Sequence, residues 1–326
     1  MAEHALIGHQ EVGNSFEGTY YVESMYVKQT VQKKDYSDLV LRDKSGGRSV
    51  KYWGVVQGLS KGDFVWTAAV VEEYLGAPSI IAKNLEKAEV PEDMSNYIPS
   101  CDGAEESAAK FDALRAEISE LETKVGSSVA GKLVDDVYNN QAFFSKFVVA
   151  PGSAKPVYGK RGGLLASTVR IADECGRMAT AYGLENRERA VLLAAALLCR
   201  IGAVDAYEFQ DCMPVTTKKG VLLGLVNLTM SRATMATKRV AAAMAKAGQE
   251  VDQEVVDRVL HAVAAHDSKS VLPMTKEAMV LGAVCRADSE MVAAMDFISN
   301  DQNAAEEFTA WDPSMGRKYY VGIREV

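Results

Sequence analysis

Between Ser24 and Lys61 eight basic residues, Lys28, Lys33, Lys34, Arg42, Lys44, Arg48, Lys51 and Lys61, stand against three acidic ones, Asp35, Asp38 and Asp43. Tyr26, Tyr36, Tyr52 and Trp53 are interleaved with them, and Trp66 follows closely. Single-stranded nucleic acid calls for this mixture: cations track the phosphates while flat rings stack on bases, at about 1–3 kcal/mol per stacked base. The candidate contacts are therefore Lys28, Lys33, Lys34, Tyr36, Arg42, Lys44, Arg48, Lys51, Tyr52, Trp53 and Trp66. A barrel core competes for half of these rings, since the two-residue period of a strand turns one of Tyr52 and Trp53 inward.

The rest of the chain is poorer in chemistry. Of four histidines, His4 and His9 fall in an N-terminal segment expected to be mobile. His261 and His266 are five apart, which on a helix turns them about 140° from each other. A two-histidine metal face wants a spacing of three or four. Neither a Walker-type phosphate loop nor a GxSxG elbow occurs. Lys160-Arg161-Gly162-Gly163 has the composition of a phosphate cradle at a helix start and equally of a plain helix entry. Cys101, Cys175, Cys199, Cys212 and Cys285 are scattered without a CxxC pair and read as reduced structural thiols.

The elements that must carry these residues change character along the chain. From Tyr20 to Glu86 short runs rich in Val, Tyr, Trp and Thr alternate with turn residues, and five strands in so short a stretch predict a small closed barrel. Glycines at 46 and 47 and the segment Tyr74–Pro78 supply turns. Residues 91–136 are acidic, with a net charge of −7 from Val90 to Asp136, and predict a solvated connector. Within it Phe111, Leu114, Ile118 and Leu121 mark an amphipathic helix that must lean on a neighbour. Residues 137–300 read as wholly helical, rich in Ala and Leu, and Asp252 is placed to cap a helix. Residues 1–19 form an N-terminal segment and 301–326 an aromatic, basic tail expected to dock back. The fold class is α+β, segregated, with the barrel at residues 20–90.

At 326 residues, 48% of them hydrophobic, the chain can bury sizeable cores. Its net charge of −8 excludes blanket attraction to nucleic acid or anionic membrane, so any such binding needs a local basic patch. The longest apolar run, Ala190 to Cys199, is far short of the roughly 20 residues that span a bilayer. With no leader-like segment at the N-terminus, the expectation is a cytoplasmic protein with no membrane partner.

The barrel, acidic segment, Ala/Leu-rich helices and aromatic tail, in this order, resemble the YhaM-type 3′-to-5′ exoribonucleases, in which an OB domain precedes an HD-type metal-dependent phosphohydrolase domain. The likeness is carried by YYVESMYVKQTVQKKDYSDLVLRDKSGGRSVKYW in the barrel. In the helical part it is carried by GGLLASTVRIADECGRMATAYGLENRERAVLLAAALLCRIGAV, HAVAAHDSKSVLPMTKEAMVLGAVCRADSEM and the closing DPSMGRKYYV. The resemblance implies an OB-type barrel followed by an all-α HD-like domain.

It also implies a degraded metal site. Where the family has histidine and aspartate ligands, this chain has Ser167, Cys199 and Arg200, Leu225, and Cys285. His261 and His266 remain, with Asp267 in place of an adjacent histidine and Asp288 as the nearest late carboxylate. A guanidinium cannot ligate a metal, and hard cations need several converging oxygen or imidazole donors. The expectation is thus a protein without catalytic residues, cofactor or stoichiometric divalent metal, with Arg200 paired to Asp288 or Asp267. The favoured function is single-stranded DNA or RNA binding, with the helical domain a scaffold for oligomerisation or for a polymerase or similar machine. The alternatives are a divergent phosphohydrolase with ligands rebuilt from His261, His266, Asp267 and Asp288, and a protein-interaction module.

Overall fold

The computed structural model describes residues 4–30, 32–74, 77–101, 103–155, 157–268, 270–301 and 307–322. The chain divides into two units. One holds the described residues up to Ser100 together with Gln210–Met213, the other Cys101–Phe209 and the chain from Pro214 onward.

The first unit is built on five strands, β1 (Ser15–Gln29), β2 (Asp35–Asp43), β3 (Gly46–Tyr52), β4 (Phe64–Tyr74) and β5 (Ala77–Ala88). They close into a barrel in the order β1-β2-β3-β5-β4. β1 makes closure possible because it is 15 residues long and shifts register between Val22 and Ser24. Its first half pairs with β4 (Tyr20 opposite Val65) and its second with β2 (Lys28 opposite Tyr36). β3 and β5 run parallel, Val50 opposite Ile80, and the other pairings are antiparallel. This is an OB-type barrel, in which closure leaves no edge strand unpaired. Lys44 and Ser45 form the two-residue turn between β2 and β3, and Gly46 takes the φ of +126° that its tightness demands. The second turn expected, at Tyr74–Pro78, includes Leu75 and Gly76, which lie outside the described residues.

Alternation along each strand fills the interior with Tyr20, Leu39, Leu41, Val50, Val65, Val71 and Ile80. The described part of the N-terminal segment, expected to be mobile, packs on the barrel. Ile7, on a 3-10 turn at Ile7–His9, is fully buried in this core, worth about 1.5–3 kcal/mol of apolar burial. Its N–H donates to the buried Asp43 carboxylate at 2.7 Å. Asp43 also accepts from the Ser45 N–H at 2.8 Å, from the Ser45 hydroxyl and from His4, whose ring sits near Tyr20 and Tyr97. A buried carboxylate is tolerable only when satisfied in this way.

The second unit contains α1 (Ala104–Val125), α2 (Val129–Tyr138), α3 (Gln141–Phe147), α4 (Gly163–Ala181), α5 (Asn186–Leu198), α6 (Ala203–Ala206), α7 (Lys218–Leu223), α8 (Leu225–Lys246), α9 (Gln253–Ala265) and α10 (Lys276–Asn300). The apolar run Ala190–Leu198 is buried on every side, so α5 is the central helix, with α1, α2, α4, α9 and α10 packed on it. None of the described helices is long and apolar enough to cross a membrane.

Three expectations need correcting here. The acidic stretch is not simply a connector: α1 buries Phe111, Leu114, Ile118 and Leu121 in the core of the helical unit. Its acidic residues occupy the outer face of a packed helix. The region after Leu198 is not wholly helical, because β6 (Tyr207–Gln210) and β7 (Met213–Thr216) form a two-stranded sheet. Nor is the helical pattern before Gly248 unbroken: Gly224, with a φ of +75° and a ψ of 156°, ends α7 and opens α8. Two other local expectations hold. Asp252 caps α9 by accepting from the Val255 N–H, and the described part of the tail packs Tyr319 against Phe297 of α10.

Candidate functional site

Register decides which of the basic and aromatic residues act together. On β2 the odd positions Ser37, Leu39 and Leu41 are buried, so Tyr36, Asp38 and Arg42 face outward. On β1 Lys28 lies opposite Tyr36, and Tyr26 lies opposite Asp38. On β3 Val50 points in, which puts Lys51 outside and turns Tyr52 onto the core. Trp53, one residue beyond β3, is 62% exposed, and its ring centre lies 5.3 Å from that of Tyr36. Lys51 Nζ sits 5.2 Å from the centre of the Tyr74 ring, which is itself exposed at the end of β4.

Tyr36, Lys51, Trp53 and Tyr74 border a groove of about 430 Å³, lined also by Gln29, Thr30 and Ile81, with Glu72 and Glu73 on the β4 side. Trp53 and Thr30 separate it from a second hollow, lined by Gln32, Lys34 and Asp35. The outer face near the β1–β2 connection thus gathers Lys28, Lys34, Tyr36, Lys51 and Trp53, with Lys33 exposed on the connection itself at a φ of +58°. Lys28 is paired with Asp38.

The remaining candidates lie elsewhere. Arg42 is paired with Glu23 at 2.7 Å. Lys44 reaches Asn96, and Arg48 reaches the carbonyl of Gly8, so both belong to the barrel end closed by the 3-10 turn. Trp66 lies on the outer face of β4 opposite Thr19 and Glu86, eight residues from Tyr74, a separation of about 26 Å along a strand. Tyr74, placed by sequence in a turn and not among the candidates, also lines the groove. The two-residue alternation of Trp66, Ala68, Val70, Glu72 and Tyr74 was the available signal.

In the helical unit, several positions singled out by resemblance converge after all. Cys199 at the end of α5, His266 at the end of α9 and Cys285 within α10 are buried, with potential ligand atoms all within 4.8 Å of one another. Cys199 Sγ donates to Ala196 O, and His266 Nδ1 is 2.7 Å from Val263 O. Its hydrogen bond with Cys199, and then burial, push the Cys285 thiol well up, while burial holds the His266 imidazole below its ordinary value. A cavity of about 600 Å³ adjoins them, lined by Arg200, Leu225, His266, Asp267 and Cys285.

Arg200 pairs with neither Asp288 nor Asp267. It donates to Gly152 O at 2.7 Å and lies over the Tyr158 ring. Tyr158 in turn donates to Asp288 at 2.8 Å, and Arg170 pairs with the same carboxylate at 3.2 Å. The tyrosine thus occupies the position between the cation and the carboxylate where direct pairing was expected. His261 is outside the cluster, its Nε2 accepting from Met274 N at 2.9 Å. Ser167 is buried and donates to Leu164 O. The glycines at 162 and 163 form a helix entry only, since the N–H groups of Gly163 and Leu164 already donate to Lys160 O and Ala150 O.

No family model matches the chain, and no curated protein matches it. Among solved structures it is similar to the second OB-fold domain of replication protein A from Methanococcus maripaludis. The identity is 16%, over 28% of this chain and all of that domain, with a TM-score of 0.23. The likeness to YhaM-type exoribonucleases therefore stays a resemblance.

Proposed function

We propose that this protein binds single-stranded nucleic acid on the outer face of its barrel, and that the helical unit serves as a scaffold without nuclease activity. The observation that carries the reading is the pairing of half-buried Tyr36 with exposed Trp53 beside a groove that also holds Lys51 and Tyr74. Exposed rings of this size are costly in water unless something covers them, and bases do so irrespective of sequence. Glu72 and Glu73 repel phosphate on the β4 side, so the backbone of the strand runs along Lys33, Lys34 and Lys28. A duplex keeps its bases stacked inside and offers nothing to these rings.

The non-nucleolytic role of the helical unit is supported by what surrounds its carboxylates. Tyr158 and Arg170 both engage Asp288 Oδ1, leaving only Oδ2 of that carboxylate without a partner, and His261 Nε2 is taken by a backbone N–H, so these groups do not supply the several converging donors that a hard cation needs. Titration of a labelled oligonucleotide and of its matched duplex tests the first claim: tight, salt-sensitive binding of the strand alone is expected, and equal affinity for both contradicts it. The second is tested by incubating the bound strand with Mg²⁺ or Mn²⁺. The strand stays intact, and metal-dependent release of nucleotides that copurifies with the protein would instead establish a phosphohydrolase.

A further inference from the structure

We propose that Cys199, His266 and Cys285 form a site for a thiophilic cation such as Zn²⁺, with its fourth coordination position turned to the adjoining cavity. The three donors come from the ends of α5 and α9 and the middle of α10, helices that pack on one another, so the packing that builds the core also fixes the site. Their ligand atoms lie within 4.8 Å of one another. Zinc bonds of about 2.3 Å to sulfur and 2.0–2.1 Å to nitrogen place such atoms slightly closer, a contraction within reach of side-chain rotation.

The chemistry of the set selects the metal. Two thiolates and an imidazole suit zinc and other soft or borderline cations, not Mg²⁺ or Ca²⁺. The His266 Nδ1 hydrogen bond to Val263 O keeps the proton on that nitrogen and leaves Nε2 to ligate, the arrangement in which metal-bound histidines are normally oriented. Two thiolates neutralise a divalent cation completely. The nearby Arg200, which repels a metal held by neutral ligands, therefore meets no net positive charge. Binding releases the two thiol protons to solvent, and His266 and Cys285 both line the cavity through which water or a small anion completes the coordination shell.

This departs from the sequence-based expectation of a metal-free domain, and it is independent of nucleic-acid binding by the barrel. The test uses the full chain, purified under reducing conditions, stripped with a chelator and titrated with Co²⁺. Expected is an equimolar end-point with thiolate-to-cobalt charge-transfer absorption and tetrahedral d–d bands, abolished by Zn²⁺. Cys199→Ser and Cys285→Ser should each lower the charge-transfer intensity and weaken binding by more than the roughly 10–100-fold that loss of a supporting hydrogen bond costs, while Cys101→Ser behaves as the parent. Should either variant fail to fold, the parent titration alone decides. Absence of thiolate charge transfer in the folded parent, the same spectrum in folded Cys199→Ser and Cys285→Ser, or recovery of these two cysteines as a disulfide overturns the proposal.

Discussion

The Tyr36 and Trp53 rings meet 5.3 Å apart, centre to centre, at an interplanar angle of 46°. They arrive from different strands, Tyr36 near the start of β2 and Trp53 just past β3, because the register sets Ser37 opposite Tyr52. The pair leaves Trp53 largely exposed and open to a third ring.

Replacing that ring should therefore cost binding and not stability. Trp53→Ala is expected to weaken single-strand affinity by about 1–3 kcal/mol, while the urea midpoint moves by an amount equivalent to under about 0.5 kcal/mol. Fluorescence anisotropy with a labelled strand, alongside denaturation, reads both. An unfolded Trp53→Ala would place the ring in the core instead.

The basic residues should separate into two groups. Charge reversal at Lys33 and Lys34 removes two phosphate contacts, lowering the magnitude of the log-affinity against log-salt slope by about 1.4, at about 0.7 per contact. Reversal at Lys44 and Arg48, which are engaged with Asn96 and Gly8, should leave the slope unchanged. If the second pair carries the slope and the first does not, the strand runs over the opposite end of the barrel.

The N-terminal segment should matter to stability. Ile7→Ala empties a fully buried position and is expected to destabilise the protein by about 2–5 kcal/mol, measured by urea unfolding. A change under about 0.5 kcal/mol would mean that the segment is not seated in the barrel.

How far the sequence revealed this arrangement depends on which physical rule was at work. Local rules were legible: runs rich in Val, Tyr, Trp and Thr between turn residues marked the five strands, 3-and-4 spacing found α1, and Asp252 announced the cap of α9. Long-range pairing was not. Ile7 looks like a stray apolar residue until Asp43, 36 positions away, is seen to hold its N–H. Tyr74 joins the groove only because β5 pairs with both β3 and β4 and so brings their ends within reach of each other. Cys199 and Cys285 each read as an inert thiol or a lost ligand, since nothing in their spacing reveals that helix packing brings both to His266. The expected Arg200–Asp288 pair failed for a like reason: Tyr158, 130 residues from Asp288, takes the hydrogen bond.

A pH effect should come from Glu122. Its carboxylate accepts from the N–H groups of Ala130 and Gly131 at 2.7 and 2.9 Å, tying down the start of α2. Burial nonetheless outweighs those donors and raises its pKa above the ordinary carboxylate value. With the folded value above the unfolded one, the stabilisation is complete below the ordinary carboxylate pKa and is lost as pH rises through the raised value. Glu122→Gln removes this titration and one acceptor, costing about 1–3 kcal/mol. The stability difference between parent and variant should shrink as pH rises across that window, followed by urea midpoints. A difference that stays constant there contradicts the account.

The central claim, that bases stack at Trp53, is tested most directly by tryptophan emission in two single-tryptophan proteins. One keeps Trp53 (W66F, W311F) and the other keeps Trp66 (W53F, W311F). Adding a single-stranded oligonucleotide should quench Trp53 to a saturating end-point that salt reverses, and leave Trp66 unchanged. Quenching of Trp66 with Trp53 unaffected, or of neither while the strand is bound, would contradict it.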